Sequence, residues 1–463
     1  MEARYRSADG FTVAEVVVAI TVLMIALIGA ALLFENAIVV SGNTRNRVVA
    51  TNLATESMEQ VRGWAADPTK FVNIPQGQTV FAGAAQLVNG IQYTVTQNVQ
   101  FVGQNSTQSS CDSPGSNTGQ IMQVQELVTW PEMAGTKTIK EVTLLSPPVG
   151  AYSASSGSIA AKVTDSAGSP SQNINVQVVG PVTQTQQTTT EGCAFFAFLP
   201  VGTYTVTVIE GTGVGDQEVV APAQTASVSV GQTTSLPFSY DTAGTINVTG
   251  YTPAAPPAAS GLRISVANTG LQPSSQYSFP VATTSLTPLY PYASGYTVFA
   301  GNCTDNNPLG KDTNRTLFYP TAAPVPLSVP PSATVATTVP LYPVSVHAQN
   351  SLATPVVAGP TTAAEMTGLP APYSAVCTSG TATSTPAPLT LVTTDAGGNS
   401  VTALPLGHFT ITVKCNRGAA ACPTSNKTGT ANIWVEPTGV YGVNLVTGAA
   451  TTLFAGAVPV TVS

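Results

Sequence analysis

The sequence predicts a mainly β protein with one long N-terminal α-helix. Three observations predict it. Hydrophobic residues make up 43% of the 463 residues and charged residues only 8%, yet the apolar residues form a single long block, near the N-terminus. Beyond that block they recur in short alternating runs among Thr and Ser, the pattern of half-buried strands. The 36 Pro and 40 Gly interrupt the chain every few residues, which suits short strands joined by turns. At ~100–200 residues per domain, the length allows three or four folded units.

The apolar block runs from Phe11 to Phe34, FTVAEVVVAITVLMIALIGAALLF, 24 residues in which Glu15 is the single charge. As a helix at ~1.5 Å per residue it covers roughly 36 Å, enough to cross a ~30 Å hydrocarbon core. A polar leader precedes it, residues 1–10, and its Arg4 and Arg6 fit a cytoplasmic start. A carboxylate inside such a span costs about 2.5–3.5 kcal/mol to insert, and no Lys or Arg in the span can pair with it. Its partner is expected from elsewhere. A secretory signal peptide would have ~7–15 apolar residues and no carboxylate. A lipoprotein would need a cysteine at the cut, and the first cysteine is Cys111.

The helix is expected to continue to residue 67. Val49/Ala50, Leu53/Ala54, Met58, Val61 and Trp64/Ala65 recur at three- or four-residue spacing, and Pro68 marks the end. Residues 68–150 read as a small antiparallel sheet, with strand-like runs at Phe71, Val80-Phe81, Ile91–Val95 and Gln123–Trp130. Trp130 is assigned to packed core or sheet-edge cover, and Ser146-Pro147-Pro148 to a linker.

Gly10, Phe11, Thr12 and Glu15, followed by the apolar run, resemble the class III signal of type IV pilins and type II secretion pseudopilins. The resemblance implies that prepilin peptidase cuts after Gly10 and methylates the new amine of Phe11. It implies that Thr12 and Glu15 serve assembly, Glu15 facing the Phe11 amine of a neighbouring subunit. That chemistry is coherent, because the amine supplies the missing positive charge and a low dielectric strengthens the pair. LATESMEQVRGWA and LVTWPEMAGTKTIKEVTLLSPP further resemble PilV-like minor pilins. The implied partners are prepilin peptidase, other pilin subunits and the inner or cytoplasmic membrane before assembly, followed by an extracellular filament at the cell surface.

Residues 151–240 resemble the carboxypeptidase regulatory-like (transthyretin-like) β-sandwich, which has no peptidase chemistry. The match is strongest at Leu199-Pro-Val-Gly202-Thr-Tyr204-Thr-Val, read as a hairpin whose Tyr204, Val206 and Val208 share one face. The order of glycine, aromatic residue, Thr and aliphatic residue returns at Gly295-Tyr296-Thr-Val298 and at Leu404-Pro-Leu-Gly407-His-Phe409-Thr-Ile411. This predicts tandem Ig-like or transthyretin-like sandwiches at 241–340 and 341–463.

The six cysteines are Cys111, Cys193, Cys303, Cys377, Cys415 and Cys422. They form no CxxC pair and accompany only two histidines, His347 and His408, which argues against zinc. An even number in an exported chain favours disulfides, and Cys415–Cys422 and Cys377–Cys415 are the leading pairs. Cys111 stands in the 68–150 region, so a bridge between domains is allowed.

No catalytic, cofactor-binding or metal-binding residue is assigned. The motifs GxSxG, HExxH and GxxxxGK[ST] are absent. His408 occupies the place of Thr203 in the first hairpin and reads as a surface strand residue, as does His347. Asp305 and Asp312 of CTDNNPLGKDTN lack the spacing of an EF-hand and read as a turn-rich loop. With 15 Lys and Arg and a net charge of −7, the composition argues against nucleic acid as a partner. The expected function is a non-enzymatic minor pilin-like subunit that displays its β-sandwich domains for adhesion to a surface ligand as yet unspecified. Three added domains would crowd the lattice of a major pilin, which favours a low-copy subunit. The alternatives are a pseudopilin of a type II secretion or DNA-uptake system, and a membrane-anchored surface hydrolase, against which the sparse carboxylates argue.

Overall fold

The computed structural model describes residues 12–74, 77–102, 111, 121–132, 135–149, 151, 155–252, 258–272, 275–280, 283–309, 325–370, 373–443, 445 and 450–463, with the backbone alone at 77–85 and 132. Gly10, Phe11 and Asp312 lie outside the described residues. The fold is mainly β with one long N-terminal helix. The chain separates into two compact units. One comprises Met1–Ala160, Phe195–Gly202 and Ser227–Thr234; the other comprises Ala161–Ala194, Thr203–Ala226 and Ser235–Ser463.

In the first unit, α1 (Val13–Ala65) is one uninterrupted helix of 53 residues, about 80 Å long. Its two halves have different environments. From Val13 to Val40 the aliphatic side chains stand exposed on all sides, Leu33 at 72% and Phe34 at 71%. Further on, Ala50, Leu53, Ala54, Ser57, Met58, Val61 and Ala65 are buried, so the three-to-four-residue stripe is the packed face. Ser57 is its unforeseen polar member. The helix ends at Ala65, and the Asp67 carboxylate accepts the Thr69 N–H at 2.9 Å to start a single-turn helix, α2 (Pro68–Phe71). Phe71 therefore closes a helical turn and is not in a strand, because an N-capping Asp followed by Pro at the first position favours a helix start.

The sheet beneath α1 has the strands β1 (Gly77–Val88), β2 (Ile91–Val102), β3 (Ile121–Glu132) and β4 (Gly135–Leu145), in that spatial order and antiparallel throughout. Asn89 and Gly90, both at positive φ, form the tight turn between β1 and β2. Tyr93, Val95, Val99 and Phe101 alternate inward along β2. Trp130 is 4% exposed and packs against Tyr93, ring centroids 6.0 Å apart, in a core completed by Ala50, Leu53, Ala54 and Val128. This core holds a polar pair: Gln97 Nε2 donates to Glu126 Oε1 at 2.8 Å, and burial pushes the Glu126 carboxyl up despite that bond.

The next eight strands are β5 (Ser156–Thr164), β6 (Asn175–Val179), β7 (Thr183–Gln187), β8 (Cys193–Pro200), β9 (Gly202–Val208), β10 (Gly213–Gly215), β11 (Ala223–Val228) and β12 (Thr233–Thr242). They belong to two four-stranded sheets, β10–β12–β5–β8 and β11–β9–β6–β7. Beyond β12, the strands of the second unit build three three-stranded sheets, a six-stranded sheet and a two-stranded ribbon. One hydrophobic cluster runs through them, including Ile246, Val266, Leu286, Val346, Ile411, Ile433 and Val460.

The three glycine–aromatic signatures are not hairpins. β8 and β9 lie in different sheets, and so do Asn399–Leu404 and Gly407–Cys415, and likewise Ser285–Leu289 and Thr297–Ala300. Each signature thus marks a chain passing from one sheet to another. The aromatic residue is buried at each: Tyr204 and Tyr296 at 0% exposure and Phe409 at 1%. A hairpin keeps both strands in one ladder, whereas a crossing carries the ring into the core. Alternation alone does not distinguish the two.

Candidate functional site

The N-terminus of α1 is built by Thr12 and Glu15. Thr12 is the N-cap: its Oγ1 accepts the Glu15 N–H at 3.3 Å, while Glu15 Oε2 accepts both the Thr12 N–H and the Thr12 hydroxyl at 3.0 Å. This is a capping box, and its T-x-x-E spacing is the sequence signal for it. It gives the carboxylate local hydrogen bonds but no opposite charge. Around it the helix is apolar and exposed, long and apolar enough to cross a membrane.

His408 is fully buried rather than a surface strand residue. It follows Gly407, whose φ of +129° favours glycine and whose Cβ, if present, would stand 2.7 Å from Asn306 Nδ2 and 3.0 Å from Asp305 Oδ2. Asp305 Oδ2 accepts the His408 backbone N–H at 2.7 Å and sits 2.9 Å from Nδ1, which places the ring proton on Nδ1 in the neutral form. The imidazole stacks on Trp434 at 4.6 Å between centroids, and Tyr373 meets both rings edge-on at 5.5 Å. In the first crossing the equivalent Thr203 is exposed. The difference arises because Trp434 stands directly opposite His408 in the ladder. Residues 305, 373, 408 and 434 are too far apart in sequence for local patterning to join them. Asp305 is thus committed to His408, not to a cation loop; His347 is a half-buried strand residue whose Nδ1 lies 2.8 Å from Asn399 Oδ1.

A second buried acid, Glu218, follows β10 at φ +59°. Its Oε2 accepts the Tyr290 N–H at 2.8 Å, and its Oε1 meets the Tyr296 hydroxyl, which lies 2.6 Å from the Tyr290 carbonyl. A carbonyl accepts only, so the Tyr296 hydroxyl donates to Tyr290 and a protonated Glu218 donates to Tyr296. Burial, reinforced by Asp216, pushes the Glu218 carboxyl up to about 8, and the Tyr290 N–H offsets only part of that rise. Tyr292 and Tyr296 are also pushed up, chiefly by burial.

None of the six cysteines is free. Cys415 and Cys422 are bridged, closing the loop over Asn416–Ala421. Cys377 joins Cys303, 74 residues away, and not Cys415. The isolated backbone pairing of Cys303 with Cys377, Cα atoms 3.8 Å apart, sets their meeting. Cys111 and Cys193 are both disulfide-bonded. Among the described residues no group of three or more His, Cys, Asp or Glu side chains is placed to hold a metal ion.

No family model matches the sequence, and no curated protein does. Among solved structures the chain is similar to the Bacillus anthracis TIE protein, at 12% identity over 84% of this chain and 73% of that one, TM-score 0.19. It is similar to GBS52, the minor pilin of Streptococcus agalactiae, at 10% identity over 40% and 95%, TM-score 0.18. It is also similar to BcpA, the major pilin subunit of Bacillus cereus, at 9% identity over 66% and 98%, TM-score 0.18. Similarity at that level does not extend to function.

Proposed function

We propose that the chain is a minor subunit of a type IV pilus or related filament, made as a prepilin and cut after Gly10. The observation that carries this reading is the division of α1. Its C-terminal half is packed on the β1–β4 sheet, whereas Val13–Phe34 leaves an apolar surface on every side with Glu15 at its start. Such a surface needs an apolar environment: a bilayer before assembly, the helices of other subunits afterwards. The capping box holds Glu15 at the first turn, three residues past Thr12 and four past the proposed methylated Phe11. The β-rich remainder is then the displayed portion, stabilised by disulfides as befits an oxidising exterior. Its role in this reading is adhesion or surface interaction, without catalysis.

Mass spectrometry of filaments sheared from cells tests this. The chain is expected in the sheared fraction at low copy number relative to the principal subunit. Confinement of the chain to the membrane fraction, in cells that make filaments, would count against the reading.

A further inference from the structure

We propose that a cavity in the second unit, walled by residues 261–263, 301–306, 365, 379–389 and 405–409, binds a small carboxylate-bearing sugar of uronate size. The cavity is about 280 Å³, at the small end of ligand pockets, and accommodates a single sugar residue better than an oligosaccharide. Arg263 supplies the anion-recognising group. Its Nε and Nη2 bond the Ser278 and Ser379 hydroxyls at 3.2 Å, which fixes the guanidinium plane. The remaining N–H groups of its five take no hydrogen bond among the described residues and match a carboxylate's two oxygens.

Glu365 lines the same cavity, its Oε2 held by Asn306 Nδ2 at 3.2 Å. A carboxylate there repels a doubly charged phosphate but accepts hydroxyl protons, so the matching ligand carries one negative charge and several hydroxyls. Ser384 and Thr385 add hydroxyl groups, and Leu389 and Phe409 add apolar surface for the C–H face of a sugar ring.

The walls are preorganised. The Cys303–Cys377 bridge ties 301–306 to the segment leading into 379–389. Asn302 reinforces it, donating from Nδ2 to the Thr378 carbonyl at 2.9 Å and accepting the Thr378 N–H at 2.8 Å. Gly301, at φ +96°, allows Asn306 to close in; a Cβ there would lie 2.2 Å from Asn306 Oδ1. Walls already fixed lower the ordering cost of binding.

This inference goes beyond the filament reading and is separable from it, because binding at the cavity is measured whether or not the chain assembles. Isothermal titration of the full chain in detergent micelles with D-glucuronate, D-glucose and inorganic phosphate is the test. Saturable glucuronate binding is expected, with glucose weaker by about tenfold or more, the contribution of a charge-assisted pair. Arg263→Gln should abolish that preference while leaving the unfolding midpoint unchanged. The double substitution Cys303→Ser with Cys377→Ser should weaken glucuronate binding. No saturable glucuronate binding, equal affinity for glucose, tighter binding of phosphate, or a preference that survives Arg263→Gln would each overturn the proposal.

Discussion

Substituting Glu15→Val is expected to leave membrane insertion and cleavage largely intact and to reduce incorporation into filaments about a hundredfold or more. Insertion should survive because the span only becomes more apolar. Incorporation should fail because a buried charge pair that loses one partner costs about 3–5 kcal/mol, which corresponds to a hundredfold or more in an equilibrium. The capping box makes a sharper control available. Glu15→Gln retains a side chain that still caps the helix but carries no charge. If charge pairing sets the axial register, Gln should fail nearly as badly as Val. If Glu15 only caps its own helix, Gln should assemble normally. Recovery of either variant from sheared filaments at the wild-type level would remove the proposed role.

The stability of the second unit is expected to fall as pH rises, with Glu218 as the cause. Its carboxyl titrates near 8 in the folded chain against 4.5 when exposed, so between those values the folded state holds the extra proton. Stability therefore decreases with rising pH across that window, by about 1.4 kcal/mol per unit and roughly 5 kcal/mol in full. The contribution is intact below pH 4.5 and lost above about 8. Glu218→Gln reproduces the neutral acid, donating to Tyr296 and accepting from the Tyr290 N–H. Denaturant unfolding at pH 5 and pH 9 should find wild type and variant similar at the lower pH and the variant clearly more stable at the higher. Parallel behaviour of the two proteins would show that Glu218 does not carry the dependence.

The parts legible in the sequence are those set by local periodicity. The apolar run to Phe34, the stripe from Ala50 to Ala65 and the strands around Tyr93 and Trp130 all follow from spacing and side-chain type. Phe71 differs from its strand expectation because an aromatic residue after Pro68 fits a strand or a capped turn equally well, and Asp67 decides between them. The Gly–aromatic signatures were visible, but whether the second strand joins the same sheet depends on partners elsewhere in the chain. His408 shows the same limit: Trp434 and Asp305, distant in sequence, convert a strand-surface position into a buried one. Cys377 resolves to Cys303 rather than Cys415 for a similar reason, since ladder neighbours are absent from a linear reading. The Arg263–Glu365 cavity has no sequence signal, because its walls come from five separated stretches of chain.

The N-terminal residue of the filament-borne protein tests the central claim most directly. Mass spectrometry of the N-terminal peptide from sheared filaments should find a chain that begins at Phe11 with a methylated amine, residues 1–10 having been removed. A chain that retains Met1, or one cut within the apolar run near Ala30, would contradict assembly as a processed prepilin.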